Sequence, residues 1–164
     1  MAGNALFDIA RKKFALGQLS WTQSPSGYTW WAALIDVSPT NGDAAINMET
    51  ALTNAITLAG VIGSFEPVNP PGGQVRAVAA LEEIGIDDNG ACKAKSVTFT
   101  NVAASSGNSA TGILIYTKNS GTPPSLTSSF PVAWIESATG LPITPNGGNI
   151  IVSWDTGVNK IFRL

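Results

Sequence analysis

The sequence predicts a mainly β protein, either a single β-sandwich or a partly closed β-barrel, with a short N-terminal helix or arm. Six or seven short segments rich in aromatic and β-branched residues are separated by turn-forming residues. One of them, residues 28–37 (YTWWAALIDV), is apolar at consecutive positions, as in a strand that is buried on both faces. A chain of 164 residues is long enough to form one domain around a single hydrophobic core.

Residues 4–16 are predicted to form a short helix. Asn4 is a suitable N-cap, Asp8 lies near the helix start, and Gly17 is a suitable stop. A helix of this length is not stable alone in water, so its apolar stripe needs a surface to pack on. Two interpretations are open: the stripe covers one face of the chain's own sheet, or residues 1–18 form an arm that docks on another subunit.

If residues 1–18 are an arm, the partner-binding residues are those of the apolar stripe, the adjoining cations and the tryptophan at the junction with the β-region. These candidates are Leu6, Phe7, Ile9, Arg11, Lys12, Phe14 and Trp21. The chain has five tryptophans, and the other four lie inside apolar strand patterns that are typical of core positions. Trp21 is therefore the tryptophan expected to be available to a partner.

Residues 19–164 are predicted to form the β-domain, with a long insert at about residues 38–74. Within the insert, the spacing of apolar residues at 48–59 favours a short helix or an irregular excursion, although Thr50, Thr53 and Thr57 favour a strand. The Pro- and Gly-rich residues 67–73 end this segment. So long a connection between strands is uncommon in a small domain and is often functional. The insert is the best candidate for a loop that reaches over a neighbouring subunit.

The remainder of the chain is predicted to be a β-meander. Turn residues at 87–90, 146–148 and 155–157 separate its later strands. The final residues, 160–164, are apolar enough to be held in a sheet or against a partner, and of these two interpretations we expect that they close the subunit's own sheet. The predicted strands after the insert lie at about residues 75–86, 91–100, 112–118, 132–136, 150–154 and 160–164.

The composition argues against most enzymes. The chain contains no histidine and a single cysteine, Cys92. It therefore lacks Ser-His-Asp and Cys-His arrangements, the commonest zinc ligand, and any internal disulfide. Two weaker possibilities are a calcium loop at residues 87–90 and a carboxylate pair made by residues 82–83 and 87–88, but exposed hairpin acids explain both more simply. We predict no enzymatic activity, no metal and no cofactor.

Charge and hydropathy argue against nucleic acid and membrane as direct partners. The formal net charge is −2, and charged residues make up 12% of the chain, against about 25% in typical domains. There is no run of 18 apolar residues. The cations at 11–13 follow the first apolar residues, whereas a signal peptide has the opposite order. We therefore expect assembly in a cytoplasm.

Two parts of the chain resemble a known family. They are the opening segments NALFDIARKKFALGQLSW and WWAALIDV, and the closing segments VTFTNV, ILIYTK and VAWIESATGLPITPNGGNIIVSWDTGVNKIFRL. These segments are similar to small virion structural proteins of tailed bacteriophages. The resemblance covers about the first 37 residues and those from about 95 onward. The middle of the chain, chiefly residues 38–74, departs from the family pattern.

The resemblance implies a β-rich subunit of a phage particle, most plausibly a capsid decoration (cement) protein. Such a protein would bind the major capsid protein on the outer lattice, and homo-oligomers, with trimers favoured, would be its expected form. The same resemblance permits a tail, neck or baseplate component. An alternative from another class is a carbohydrate-binding or receptor-binding β-domain, which requires exposed aromatic side chains.

Overall fold

The structure, a computed structural model, describes residues 4–22, 28–40, 44–64, 74–104, 107–120, 125–155 and 160–163. It confirms a mainly β fold, with sheets that are not closed into a barrel and are consistent with a sandwich. In chain order the described elements are β1 (Ala5–Leu6), α1 (Asp8–Ala15), β2 (Tyr28–Ile35), α2 (Met48–Asn54), a 3₁₀ helix (Leu58–Gly60), β3 (Val75–Ala80), β4 (Gly85–Ile86), β5 (Ala91–Lys93), β6 (Val97–Phe99), β7 (Gly112–Asn119), β8 (Phe130–Ile135), β9 (Ile150–Val152) and β10 (Phe162–Arg163).

The largest sheet has five antiparallel strands in the order β1-β8-β7-β2-β3. Its centre is the pair β2–β7, in register from Tyr28 opposite Asn119 to Ile35 opposite Gly112. Every residue of β2 from Ala32 to Ile35 is buried, so both faces of the strand are covered along that half. The continuous apolar run in this part of the sequence therefore predicted the burial correctly.

Two smaller sheets contain the remaining strands, in the orders β10-β5-β4 and β6-β9. The two last strands do not pair with each other: β9 pairs with β6, and β10 pairs with β5. Trp21 joins the three-stranded sheet to the large one through two ring contacts. Its ring centroid lies 4.9 Å from that of Phe162 in β10 and 4.5 Å from that of Trp30 in β2. The expectation that the final strand closes the chain's own sheet is confirmed for Phe162 and Arg163; residues 156–159 and 164 lie outside the described residues.

The N-terminal segment begins as a strand, which corrects the prediction of a helix from residue 4. The side chain of Asn4 does not cap a helix: its Oδ1 accepts hydrogen bonds from the backbone N–H groups of Glu136 (3.1 Å) and Ser137 (2.9 Å). Its Nδ2 donates to the carbonyl oxygen of Ser137 at 3.2 Å. The amide of Asn4 thus extends the pairing of β1 with β8, and α1 begins only at Asp8.

The insert contains the predicted short helix. The side chain of Asn47 caps α2 by accepting from the N–H of Thr50 at 3.1 Å, and Met48, Ala51 and Leu52 are buried. The following 3₁₀ helix is tied to the end of the large sheet, because the N–H of Leu58 donates to the carbonyl of Ser129 at 2.7 Å. The predicted Pro- and Gly-rich break at 67–73 lies outside the described residues.

The predicted strands at 75–86 and 91–100 are each divided in two. β3 ends at Ala80, and Glu83 then adopts a φ of 50°, a left-handed conformation that interrupts an extended chain. The short β4 begins two residues later and forms a hairpin with β5. Between β5 and β6, the N–H of Lys95 donates to the carbonyl of Glu82 at 2.9 Å.

Candidate partner-binding groove

Two of the predicted partner-binding residues belong to the chain's own core. The side chain of Trp21 has no exposed surface, its ring packs between Trp30 and Phe162, and its Nε1 donates to the carbonyl of Lys93 at 2.9 Å. Phe7 is equally buried, and its backbone N–H donates to the carbonyl of Val132. Trp21 and Phe7 are therefore corrected from partner-binding to core positions, because a side chain without exposed surface cannot contact a partner.

The remaining candidates lie on or beside α1 at different depths. Ile9 and Phe14 are partly buried, and the ring of Phe14 lies 6.2 Å from that of Phe162. Arg11 and Lys12 are exposed, whereas Leu6 is partly buried on β1. Since Phe7 and Ala10 are also fully buried, one side of α1 packs against its own chain. This agrees with the interpretation that the apolar stripe of the helix covers the chain's own sheet. It corrects the interpretation that residues 1–18 form a separate arm.

Leu6 and Arg11 do meet at a surface that the sequence did not reveal. They line an open groove of about 1040 Å³ beside the five-stranded sheet. Its floor includes Leu34, Ile113 and Ile135, which are cross-strand neighbours on one face of that sheet. Its walls are formed by the connection at residues 137–143, by β9 and the residues after it, and by β10.

Strand edges border this groove. In the part of the chain that the structure describes, β9 is hydrogen-bonded on one side only, to β6, and β1 on one side only, to β8. Ile151, in the middle of β9, is 66% exposed. An apolar strand with an open edge is a template on which another strand can pair.

Cationic side chains lie on one side of the groove. The charged side chains among the described residues that line it are those of Arg11, Lys160, Arg163 and Asp155. The contact between Phe14 and Phe162 brings α1 close to β10, so Arg11 lies on the side of the groove where these elements meet.

Each of these cations has a partner within the chain. Arg11 pairs with Asp8 at 2.8 Å in an exposed contact. The Nζ of Lys160 is 3.5 Å from Oδ2 of Asp87, and Nη2 of Arg163 donates to the carbonyl of Asn89 at 2.7 Å. The carbonyl bears no formal charge, so the positive charge of Arg163 is not neutralised by this bond.

Asp87 organises the β4–β5 turn rather than a metal site. Its Oδ1 accepts from the backbone N–H groups of Ala91 (2.8 Å) and Asn89 (3.0 Å). The hydrogen bond from Ala91, followed by those from Asn89 and Lys160, lowers the pKa of the Asp87 carboxyl below its ordinary value. The carboxylate is thus used to fix the turn and to hold Lys160 beside it.

The carboxylates of residues 82–83, considered above as part of a catalytic pair, both lie within ion-pair distance of a lysine. Oε2 of Glu82 and Oε1 of Glu83 lie 3.6 Å and 3.4 Å from Nζ of Lys95. Interaction with Glu83, and then with Glu82, raises the pKa of the Lys95 ammonium group. Within the described residues, no group of three or more acidic or cysteine side chains is placed to hold a metal ion. Burial raises the pKa of the Cys92 thiol to about 12.

One buried charged pair escaped the sequence analysis. Nη2 of Arg76 donates to Oδ2 of Asp36 at 2.6 Å, and both side chains are almost fully buried. Arg76 occupies a β-bulge, since Leu34 lies opposite Ala77 while Ile35 lies opposite Val75. An arginine inside the apolar run VRAVAA indicates that a buried acidic partner exists. Which acidic residue is the partner depends on the register of β2 and β3, which the sequence does not show.

A second cavity, of about 690 Å³, lies beside α2 and the 3₁₀ helix. None of the described residues that line it is charged; its polar side chains are those of Asn47, Thr50, Asn54, Ser64 and Gln74. Gln74 already bridges two chain segments, because its Nε2 donates to the carbonyl of Ala44 and its Oε1 accepts from the N–H of Gly63. The groove beside β9, with both charge and open strand edges, is therefore the stronger candidate for a binding site.

No helix among the described residues has the length and apolar character needed to span a membrane. Comparison of the chain with protein-family models, with curated proteins and with solved structures found no match.

Proposed function

We propose that the chain is a non-enzymatic structural subunit of a bacteriophage virion, namely a capsid decoration protein that binds the outer lattice of the major capsid protein. The proposal combines the sequence resemblance with one structural observation. That observation is the apolar groove bordered by strand edges, a surface suited to binding protein segments. The proposed location is the capsid surface, reached by assembly in the host cytoplasm.

Stabilisation of the lattice would follow from mass action. A subunit that binds the assembled lattice more tightly than its separated parts stabilises the assembly by its binding free energy. Repetition over a symmetric shell, together with oligomerisation of the subunit, multiplies a modest contact. This mode of action requires no catalytic group.

The exposed side of α1 is the proposed contact with the capsid. Arg11 and Lys12 lie there, and Leu16, just after the helix, is 58% exposed. The buried side of α1 fixes the helix to the β-domain, so that this exposed side is presented rigidly. A rigid surface avoids the entropy cost of ordering a flexible arm on binding.

Cryo-electron microscopy of purified particles tests the proposal. The expected result is density for the chain over the capsid shell in many copies. Density confined to the tail, neck or baseplate, in few copies, would replace the decoration role by the alternative structural role. Complete absence from purified particles would overturn both.

Binding of the isolated chain to particles tests the proposed contact. Replacement of Lys12 by Glu is expected to weaken co-sedimentation with particles that lack the chain, while Lys93→Glu, an equal charge change at another exposed position, serves as the matched control. Equal binding by both variants and the unmodified chain would argue against α1 as the contact.

The glycan-binding alternative has less support. It depended on an exposed Trp21, which is buried. Of the partly exposed tryptophans, Trp31 donates its Nε1 hydrogen to Thr29 and has Lys118 Nζ 4.4 Å from its ring centroid. Trp154 donates its Nε1 hydrogen to the carbonyl of Lys95. These contacts use the polar groups that would help to orient a sugar.

A further inference from the structure

We propose that the pair Asn89–Gly90, in the turn between β4 and β5, is a site of spontaneous deamidation, and that Arg163 directs the reaction toward isoaspartate. The reaction needs no enzyme, and its only co-reactant is water. Because the inference concerns the chemistry of one turn, it does not depend on the proposed virion role.

The reaction has two steps. The backbone nitrogen of Gly90 attacks Cγ of Asn89, so that an N–Cγ bond forms and the bond from Cγ to the amide nitrogen breaks. Ammonia leaves with the proton of the attacking N–H, and a succinimide ring remains. Attack of water on the ring at Cγ gives aspartate, whereas attack at the main-chain carbonyl carbon gives isoaspartate, in which the chain continues through Cγ. Glycine hinders the first step least, because it has no side chain.

The side chain of Asn89 is available for this reaction. The residue is exposed, and among the described residues only its main-chain groups form hydrogen bonds. The N–H of Gly90 donates to the carbonyl oxygen of Asp87 at 3.0 Å, a bond between the first and last residues of one turn. Opening of this turn therefore releases the attacking nitrogen.

A second pair in the described chain, Asn146–Gly147, provides an internal comparison. Asn146 is also exposed, but its Oδ1 accepts a hydrogen bond from the N–H of Gly148 at 3.0 Å. The N–H of Gly147 donates at 3.0 Å to the carbonyl oxygen of Val102, in a distant part of the chain. Both the amide and the attacking nitrogen of this pair are thus held, so more of the structure must open before it reacts. The Asn-Gly pair at 41–42 lies outside the described residues.

The position of Arg163 favours one of the two products. Its Nη2 and Nε donate to the main-chain carbonyl oxygen of Asn89 at 2.7 Å and 3.1 Å. A guanidinium group at this oxygen stabilises the negative charge that the oxygen acquires when water attacks the carbonyl carbon. That attack gives isoaspartate, and the α-carboxylate that it releases is left beside the same cation.

Incubation of the full chain at mildly alkaline pH, followed by proteolysis and mass spectrometry, tests the inference. The mass change from NH2 to OH identifies deamidated peptides, and an isoaspartyl methyltransferase assay identifies isoaspartate. In the folded chain Asn89 is expected to react about fivefold faster than Asn146, the factor that one additional hydrogen bond at Asn146 contributes. In urea the two rates should become similar, because both asparagines precede a glycine and no fold distinguishes them.

Substitution of Arg163 tests its directing role. Arg163→Leu should lower the ratio of isoaspartate to aspartate at Asn89 toward the ratio measured in urea. Lys93→Leu, which removes an exposed cation from the same hairpin but not from the Asn89 carbonyl, is the matched control and should leave the ratio unchanged. Circular dichroism checks that each variant is folded. If Arg163→Leu does not fold, Arg163→Lys, which keeps the charge but loses the paired donors, makes the same comparison.

Absence of reaction at Asn89, equal rates at Asn89 and Asn146 in the folded chain, or a rate difference that persists in urea would overturn the proposed site. A product ratio that is unchanged in the folded Arg163 variants would overturn the directing role of Arg163. None of these results bears on whether the chain is present in virions, which electron microscopy of particles measures separately.

Discussion

The indole of Trp134 lies directly against the backbone of Gly112. A Cβ atom on Gly112 would lie 2.3 Å from two carbons of that ring and 2.8 Å from the carbonyl oxygen of Ile135. The ring is also held by a hydrogen bond, since its Nε1 donates to Oε2 of Glu136 at 3.0 Å. Trp134 is also one of the residues that line the groove.

Replacing Gly112 by Ala is therefore expected to destabilise the fold by about 1–3 kcal/mol, because a rigid indole and a backbone carbonyl must move. Urea denaturation measures the change. Gly63→Ala is the matched control: among the described residues, the nearest neighbour of a Cβ there is the side-chain oxygen of Gln74 at 4.0 Å. Equal free energies of unfolding for the two variants would show that Trp134 relaxes without cost.

The buried Asp36–Arg76 pair predicts a large effect from a single change. Asp36→Ala leaves a buried guanidinium without its carboxylate, and we expect a loss of about 3–5 kcal/mol in the free energy of unfolding. The double variant Asp36→Leu, Arg76→Leu should lose much less than the sum of the single changes, because no unpaired charge is left buried.

The exposed pair Arg11–Asp8 provides the control for this prediction. Asp8→Ala removes a carboxylate from an ion pair whose members are both more than half exposed, so its effect should be about 1 kcal/mol or less. Denaturant titration of the unmodified chain, Asp8→Ala, Asp36→Ala, the single variants Asp36→Leu and Arg76→Leu, and the double variant gives the comparison. A loss for Asp36→Ala as small as that for Asp8→Ala would contradict the importance of burial.

Asp87 gives a prediction for pH dependence. The pKa of its carboxyl is lower in the folded chain than in the unfolded chain. At pH values around and between these two pKa values the folded state binds fewer protons than the unfolded state, so the free energy of unfolding rises with pH. The contribution is fully present above the unfolded value of about 3.9 and is lost as pH falls through the lower folded value. Asp87→Asn should therefore be less stable than the unmodified chain at pH 5–7, with a difference that shrinks below about pH 4.

Thermal unfolding between pH 2.5 and 7 measures this difference. Asp88→Asn removes the same charge from the neighbouring, exposed position and serves as the control. A stability difference for Asp87→Asn that stays constant across the whole range would mean that the carboxylate charge contributes nothing to the turn.

Because one side of the N-terminal segment is buried, we expect this segment to be needed for the stability of the fold. Phe7→Ala should lower the free energy of unfolding by about 3–5 kcal/mol, because it leaves a cavity beside β8. Leu16→Ala, at an exposed position, should change it by about 0.5 kcal/mol or less. Deleting residues 1–16 should destabilise the chain more than either change, and a truncated chain of unchanged stability would restore the interpretation of a separate arm.

The strands that the sequence predicted well are those with a strong local pattern. β2, β7 and β8 are runs of apolar, aromatic and β-branched residues, and each was expected within a few residues of its observed bounds. The helix in the insert was also expected, from the spacing of Met48, Leu52 and Ala55. Burial of one or two faces imposes these periodicities directly on the sequence, which is why they can be read without a structure.

The features that escaped prediction depend on partners distant in the chain. Asn4 is a good helix cap by its local sequence, but its amide bonds to the backbone at residues 136 and 137. Trp21 lies in no strand pattern, yet Trp30 and Phe162 enclose it. The groove is likewise composed of residues from both ends of the chain, so only the tertiary fold brings Leu6 and Arg11 to the same surface as Ile151 and Arg163.

The separate pairing of the two last strands has a consequence for biosynthesis. β5 is made long before β10, its neighbour in the three-stranded sheet, and β6 long before β9. Neither small sheet is therefore complete until β9 or β10 has been made, while β2 and β3 can pair much earlier. Contacts between such distant segments also slow folding after release. A ribosome-bound chain that ends before residue 150 should thus expose the unpaired edges of β5 and β6, and this is the stage at which a chaperone would protect the protein most effectively.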